Sequence, residues 1–323
     1  MTAPHPSSSD TLAEYGESAL IAAITERFSE TQPLEVGIGD DGAVFRQAQP
    51  IIAVADAMIE GVHFDRRWSP ADSVGRKLVA VNVSDIAAMG GMPTYALFTA
   101  SLPRDLPWTW VLGLLDGVAA EAARHGMTVC GGDVTGSPGP VSLSLSVLGR
   151  LVAERPLLRR NARVGESVYV TGSLGGSGLG LTALQTGVPR AELVLSAIAA
   201  HRTPMPRLQE GAALAHWSGV GACMDLSDGL AQDAVRLAAA SGVRLELDLD
   251  LLPPHPGLDL LSAERAVHLM LYGGEDYELL FTGVGLPPCP ATRIGEVVAG
   301  AGIGWRWGGT STERREEGGF SHF

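Results

Sequence analysis

The chain has 323 residues, with 23 Lys+Arg against 36 Asp+Glu and a formal net charge of −13. That acidic balance argues against binding nucleic acid or an anionic membrane through clustered positive charge, and a hydrophobic content of 46% excludes wholesale disorder. The length suggests about two domains. Glycine is abundant at 41 residues, whereas Lys77 is the sole lysine; its setting, Gly75-Arg76-Lys77-Leu78, is no GxxxxGK[ST] phosphate loop.

In chain order, apolar spacing predicts a helix over Ser8 to Ser29, a strand over Ile51 to Ala55 and a helix over Pro70 to Met89 that stops at Gly90-Gly91. A strand over Tyr95 to Ser101 follows, then a helix over Pro107 to His125 with proline in its first turn, and a strand over Met127 to Cys130. From Val141 to Leu151, Leu143, Leu145 and Val147 alternate with serines, the period of a half-buried strand. The arginine-rich stretch Val152 to Glu166 changes the texture, so a domain boundary is expected near residue 153. Beyond it come a strand over Ser167 to Thr171, a glycine-rich turn into helices reaching Trp217, a strand over Gly221 to Met224 and a helix over Asp228 to Ser241. A strand over Val243 to Leu249, a helix near Leu260 to Met270 and a strand over Glu278 to Thr282 complete the pattern, and the tail from Gly308 is expected to be loop. The class is therefore α/β (α+β) in two domains.

Cys130, Cys223 and Cys289 are few, distant and without CxxC spacing, which implies neither a disulfide framework nor a zinc site and suits a reducing cytoplasm. The polar start Met1 to Asp10 has no leader-like pattern, and no run reaches the roughly 18 apolar residues of a membrane span. A soluble cytoplasmic protein is expected.

Six groups of carboxylates stand where apolar segments meet turns, with few basic neighbours in sequence: Asp40-Asp41, Asp56, Asp85, Asp133, Asp225 with Asp228, and Glu275-Asp276. Most lie beside glycines. Unpaired carboxylates are costly to bury and need a partner. Glycine lets backbone approach a ligand closely. The combination points to hard divalent cations, Mg²⁺ foremost, neutralising a polyphosphate without a lysine. Singly, each group has a plainer reading. Asp40-Asp41 is compatible with a turn pair, Ser227 or Asp228 with a helix N-cap, Gly131-Gly132-Asp133 with a hairpin turn, and His63 with a structural histidine. The run Gly172-Ser173-Leu174-Gly175-Gly176-Ser177-Gly178 misses the GxGxxG spacing.

Together these stretches resemble the thiamine-monophosphate kinases, in a superfamily with aminoimidazole ribonucleotide synthetase, selenophosphate synthetase and a hydrogenase maturation factor. The resemblance rests on GIGDDGAV (Gly37 to Val44), DAMIEGVHF (Asp56 to Phe64), VNVSDIAAMGGMP (Val81 to Pro93), GGDVT (Gly131 to Thr135), MDLSDGL (Met224 to Leu230) and GGEDYELL (Gly273 to Leu280), in family order. It implies ATP-dependent phosphorylation of thiamine monophosphate to thiamine diphosphate, several Mg²⁺ ions, no nucleic-acid or membrane partner, and a homodimer. The implied domains are an N-terminal mixed α/β domain over 1–152 that binds ATP and Mg²⁺ and pairs in the dimer, and a C-terminal α/β domain over 153–323 that completes the ATP and substrate site.

By the same resemblance, Asp41, Asp56, Asp85, Asp133, Asp225 and Asp228 are metal ligands, with Asp40 a neighbour. Gly132, Asp133, Arg159, Ser227 and His125 are on the ATP side; His63, Glu275 and Phe320 are on the substrate side; Asp85, Asp133 and Arg159 are catalytic. Two positions depart from the pattern. Val54-Ala55 stand where Ser or Thr often precedes Asp56, and His125 stands where an aromatic ring often contacts the nucleotide. Transfer between phosphates needs positioning and charge neutralisation more than a strong base, so direct in-line transfer without a covalent enzyme intermediate is expected. A relative with another acceptor and a non-catalytic nucleotide-binding scaffold are the alternatives. Against the first, no cysteine precedes Cys130 and the chain ends Ser321-His322-Phe323.

Overall fold

The computed structural model describes residues 10–28, 48, 50–187 and 192–312. Asp40, Asp41 and Phe320, and the final Ser321-His322-Phe323, lie outside the described residues. The chain divides into two compact units, Met1–Val83 with Pro93–Arg150, and Ser84–Met92 with Leu151–Phe323.

The first unit begins with α1 (Leu12–Arg27), shorter than the periodicity suggests and interrupted by the non-helical Gly16. Thr11 and Glu14 form a reciprocal capping box at its start. Strands β1 (Ile51–Ile59), β2 (Gly91–Pro103), β3 (Thr128–Ser137) and β4 (Ser142–Leu151) form a four-stranded sheet in the order β1-β4-β2-β3. β1 pairs antiparallel with β4, and β2 pairs parallel with β3. On β4, Leu143, Leu145 and Val147 are buried while the serines between them are half-buried, as the alternation predicts. Helices α2 (Ala71–Ala88) and α3 (Trp108–Arg124) carry much of the apolar load, with Leu78, Val79, Val83, Leu114 and Val118 fully buried. The last turn of α2, from Ser84, groups with the second unit.

The second unit contains β5 (Ser167–Val170), α4 (Gly176–Thr186), α5 (Glu192–Arg202), α6 (Leu208–Ala215), β6 (Val220–Asp225), α7 (Leu230–Ser241), β7 (Arg244–Asp248), α8 (Ala263–Tyr272), β8 (Leu279–Gly283), β9 (Thr292–Val298), β10 (Gly302–Trp307) and β11 (Thr310–Thr312). Its seven-stranded sheet runs β11-β10-β7-β9-β5-β8-β6 and is antiparallel except where β7 meets β10. The central strands are buried on both faces. Val168, Val170, Met224 and Leu280 join a core with α7 and α8, while Tyr169, Cys223, Leu279 and Phe281 join one with Leu214 and Ala88.

Two sequence expectations are corrected here. The tail after Gly308 is not all loop, because Thr310–Thr312 pairs with β10. The α7 helix starts at Leu230 rather than Asp228, since Gly229 takes the N-cap position at φ 107°. All three cysteines are free thiols.

Candidate active site

In the first unit, the DAMIEGVHF stretch runs along β1 into a turn. The Asp56 backbone N–H donates to Asn82 Oδ1 at 2.9 Å, and the Ser144 hydroxyl donates to the Asp56 carbonyl at 3.1 Å. Asn82 is itself fully buried and donates to the Leu78 carbonyl, so α2 fixes the backbone at Asp56. The Ile59 N–H donates to His63 Nδ1 at 3.0 Å, which closes the turn and assigns the hydrogen of the neutral ring to Nε2.

The GGD motif lies inside β3 and is no hairpin turn; Asp133 is exposed opposite Thr99 of β2. Gly132 adopts φ 151°, and a Cβ there would overlap the Phe98 carbonyl oxygen, so the residue must be glycine for β3 to lie against β2. His125 Nε2 faces Glu121 Oε1 at 3.0 Å. Glu121 is buried, yet that bond and the charges of His125, Arg124 and Arg76 outweigh burial and hold its carboxyl below the usual range.

In the second unit, the MDLSDGL stretch ends β6 and turns into α7. Asp225 is 4% exposed and accepts a 2.7 Å bond from the Ser84 hydroxyl of the α2 last turn. Burial pushes its carboxyl upward against the pull of that bond and of the Arg159 charge, while Asp228 adds repulsion. Neither Ser227 nor Asp228 caps α7. Their backbone N–H groups both donate at 3.0 Å to Asp233 Oδ2, a fully buried carboxylate that the sequence reading missed. Burial and the Asp228 charge push Asp233 up to about 7. Arg236 bridges Asp228 at 2.5 Å and Asp233 at 2.8 Å. This turn therefore has a basic neighbour in space that the local sequence does not display. The signal for Asp233 was its place in the first turn of the helix following a strand-end carboxylate pair.

The GGEDYELL stretch forms the strained part of this unit. Gly274, Glu275 and Tyr277 have φ of 65°, 56° and 51°; for the two non-glycine residues such a conformation costs on the order of 1 kcal/mol or more each and persists only when surroundings enforce it. The Glu275 N–H donates to the Ser227 carbonyl at 2.7 Å and the Tyr277 N–H to the Leu226 carbonyl at 2.9 Å, which ties this loop to the MDLSDGL turn. Asp276 accepts from the N–H groups of Gly175 (2.7 Å) and Ser177 (3.2 Å). Burial lifts its carboxyl to about 7 against the pull of those two donors.

The glycine-rich turn thus leads to a helix N-terminus whose donors are filled by the protein's own carboxylate. It is a packing device. Gly172, at φ 51°, makes room for Glu278, which is gripped by Arg207 at 2.6 and 2.5 Å and by the Thr171 hydroxyl at 2.7 Å.

Within the second unit, then, Asp225, Ser227, Asp228, Arg159 and Glu275 come together around two turns joined by backbone bonds. In the first unit, Asp56 and Asp133 lie on separate strands of one sheet. Among the described residues no three His, Cys, Asp or Glu side chains are gathered closely enough to form a ready-made metal cage. Two regions match a known family: residues 39–151 the AIR synthase related N-terminal domain, and residues 163–308 the corresponding C-terminal domain. A thiamine-monophosphate kinase of Rhodopirellula baltica is 32% identical over 95% of this chain and 97% of its own. The chain belongs to the thiamine-monophosphate kinase family. By that membership it is a kinase, built from two domains of the AIR synthase related type.

Two solved structures agree in fold. The thiamine-monophosphate kinase of Stenotrophomonas maltophilia K279a superposes with a TM-score of 0.79 at 32% identity, covering 90% of this chain and 95% of that one. AaThiL, in complex with AMPPCP and TMP, gives a TM-score of 0.77 at 34% identity over 98% of this chain and 100% of that one. No helix among the described residues is long and apolar enough to cross a membrane.

Proposed function

We propose that this chain transfers the terminal phosphate of ATP to thiamine monophosphate, giving thiamine diphosphate and ADP in the cytoplasm. What supports this most is the match over nearly the whole length to a kinase solved with a non-hydrolysable nucleotide and TMP, in a chain whose own motif turns are held in strained, carboxylate-lined conformations. The N-terminal domain, 1–152, is assigned the greater part of the ATP and metal contacts and the dimer interface. The C-terminal domain, 153–323, completes the nucleotide and substrate site.

The acceptor is a phosphate monoester, whose oxygens are already largely ionised at neutral pH, so no strong general base is needed. The residues' task is to orient two phosphates in line and to offset the charge that develops between them. Arg159, near the desolvated Asp225, supplies one fixed positive charge. Ser227, Gly132 and His125 are assigned to the nucleotide side.

The donor set fits Mg²⁺ in chemistry: Asp56, Asp85, Asp133, Asp225 and Asp228 offer only oxygen ligands, and Asp225 is desolvated with a second carboxylate repelling it. Asp41, outside the described residues, belongs to the same proposed set. Bound there, Mg²⁺ would neutralise polyphosphate charge. To take part, Asp228 must share or release Arg236. His63, Glu275 and Phe320 are assigned to the substrate side. The test is turnover: the protein with ATP, Mg²⁺ and thiamine monophosphate yields thiamine diphosphate, and Asp85→Asn or Asp133→Asn abolishes it while circular dichroism remains native. Near-normal turnover by both variants would refute the assignment.

A further inference from the structure

One buried polar cluster of the second unit lies outside all the sequence motifs except at its end. His201, on α5, has a side chain only 4% exposed, and Ser177, in the first turn of α4, is buried. His201 joins Ser177 to Glu275, whose side chain is 24% exposed. His201 Nδ1 stands 3.0 Å from Ser177 Oγ and 3.3 Å from Glu275 Oε2.

The ion-pair contact with Glu275 calls for a hydrogen on Nδ1, because a carboxylate oxygen offers lone pairs only and repels an unprotonated ring nitrogen. Ser177 Oγ then accepts the other branch of the same donor. The Ser177 backbone N–H in turn donates to Asp276. The first turn of α4 thereby braces two successive loop residues, Asp276 directly and Glu275 through His201. At Glu275 the backbone is held in the left-handed region by its bond to Ser227, and the side chain is aimed by His201. A part-exposed carboxylate fixed at both ends on a strained loop is arranged to meet a ligand, and its charge complements a cationic one. The thiazolium ring of thiamine monophosphate has that charge.

We propose that His201 is a positioning residue for substrate recognition: its Nδ1–H orients the Glu275 carboxylate toward the cationic acceptor. This rests on the function proposed above and extends it to a residue on a helix that carries none of the motifs.

The test is steady-state kinetics with separate KM values for thiamine monophosphate and ATP. His201→Leu is expected to raise the thiamine monophosphate KM about tenfold, the worth of one charge-assisted hydrogen bond, with the ATP KM unchanged. His201→Asn, whose amide N–H can take the place of Nδ1–H, is expected to retain most of the affinity; His201→Gln, equally polar but reaching past that point, is expected to behave like the leucine variant. Introduced into Glu275→Ala, His201→Leu should add nothing, because no carboxylate remains to be oriented. The proposal is overturned if His201→Leu leaves that KM unchanged, if it raises both KM values alike, or if its effect adds in full to that of Glu275→Ala. Should the leucine variant fail to fold, equal KM values for the asparagine and glutamine variants overturn it instead. A wild-type protein that turns over no thiamine monophosphate refutes the proposed function rather than the positioning role.

Discussion

Replacing Arg207 with methionine removes the cationic half of a buried bidentate pair. Its guanidinium meets both oxygens of Glu278 at 2.6 and 2.5 Å; the Glu278 side chain is 6% exposed and that of Arg207 25%. Removing one partner of a buried ion pair costs about 3–5 kcal/mol, mostly as the burden of the carboxylate left behind. Because Arg207 is partly solvated and the Thr171 hydroxyl still donates to Glu278, the lower end applies, about 3 kcal/mol. At about 2–4 °C per kcal/mol for a unit of this size, Arg207→Met lowers Tm by roughly 6–12 °C. Calorimetry with urea titration reads this directly. The reasoning also predicts that adding Glu278→Gln to Arg207→Met restores part of the loss, since the stranded charge is gone. A loss under about 1 kcal/mol, or a double variant worse than Arg207→Met alone, refutes the argument that this pair anchors the GGEDYELL loop.

Three further outcomes are expected. Gly132→Ala drives a Cβ into the Phe98 carbonyl and should cost more than about 2 kcal/mol in urea unfolding, with activity lost, whereas alanine at the exposed Gly187 meets no atom and carries only the left-handed backbone cost of about 1 kcal/mol. Asp276, lifted to about 7 in the folded state from an ordinary 3.8, holds a proton that the unfolded chain has released, so its contribution to stability falls as pH rises from about 4 to about 7 and is flat above. Asp276→Asn should reduce the slope of unfolding free energy over that range, leaving the part due to Asp233; an unchanged slope refutes the assignment. Chelation of divalent cations with EDTA should abolish turnover reversibly while far-ultraviolet circular dichroism stays native, and activity persisting without divalent cations would exclude them from the mechanism.

Strongly periodic elements were legible in the sequence. The alternation on β4 and the apolar faces of α2 and α3 follow from burial on one side, which spacing records directly. Strands β9, β10 and β11 were not legible, because Thr292–Thr312 is rich in glycine and holds its place by pairing with distant β7 and β5 rather than through local preference. The turns at Asp228 and Glu275 could be located from glycines beside carboxylates, but Asp56, Asp85 and Asp133, expected where apolar segments meet turns, lie inside β1, α2 and β3. Their supports could not: Asp233, Arg236, Arg207 and His201 act across gaps in sequence that only the fold closes, from 3 residues for Arg236 to Asp233 up to 74 for His201 to Glu275. The glycine run Gly172 to Gly178 misses the GxGxxG spacing, and in the fold its helix N-terminus is filled by Asp276.

The most direct test of the account is a product assay in which the purified protein is given ATP, Mg²⁺ and thiamine monophosphate, and thiamine diphosphate and ADP are quantified together. One thiamine diphosphate is expected for each ADP released. ATP bound without turnover, or ADP released with no thiamine diphosphate formed, would contradict it.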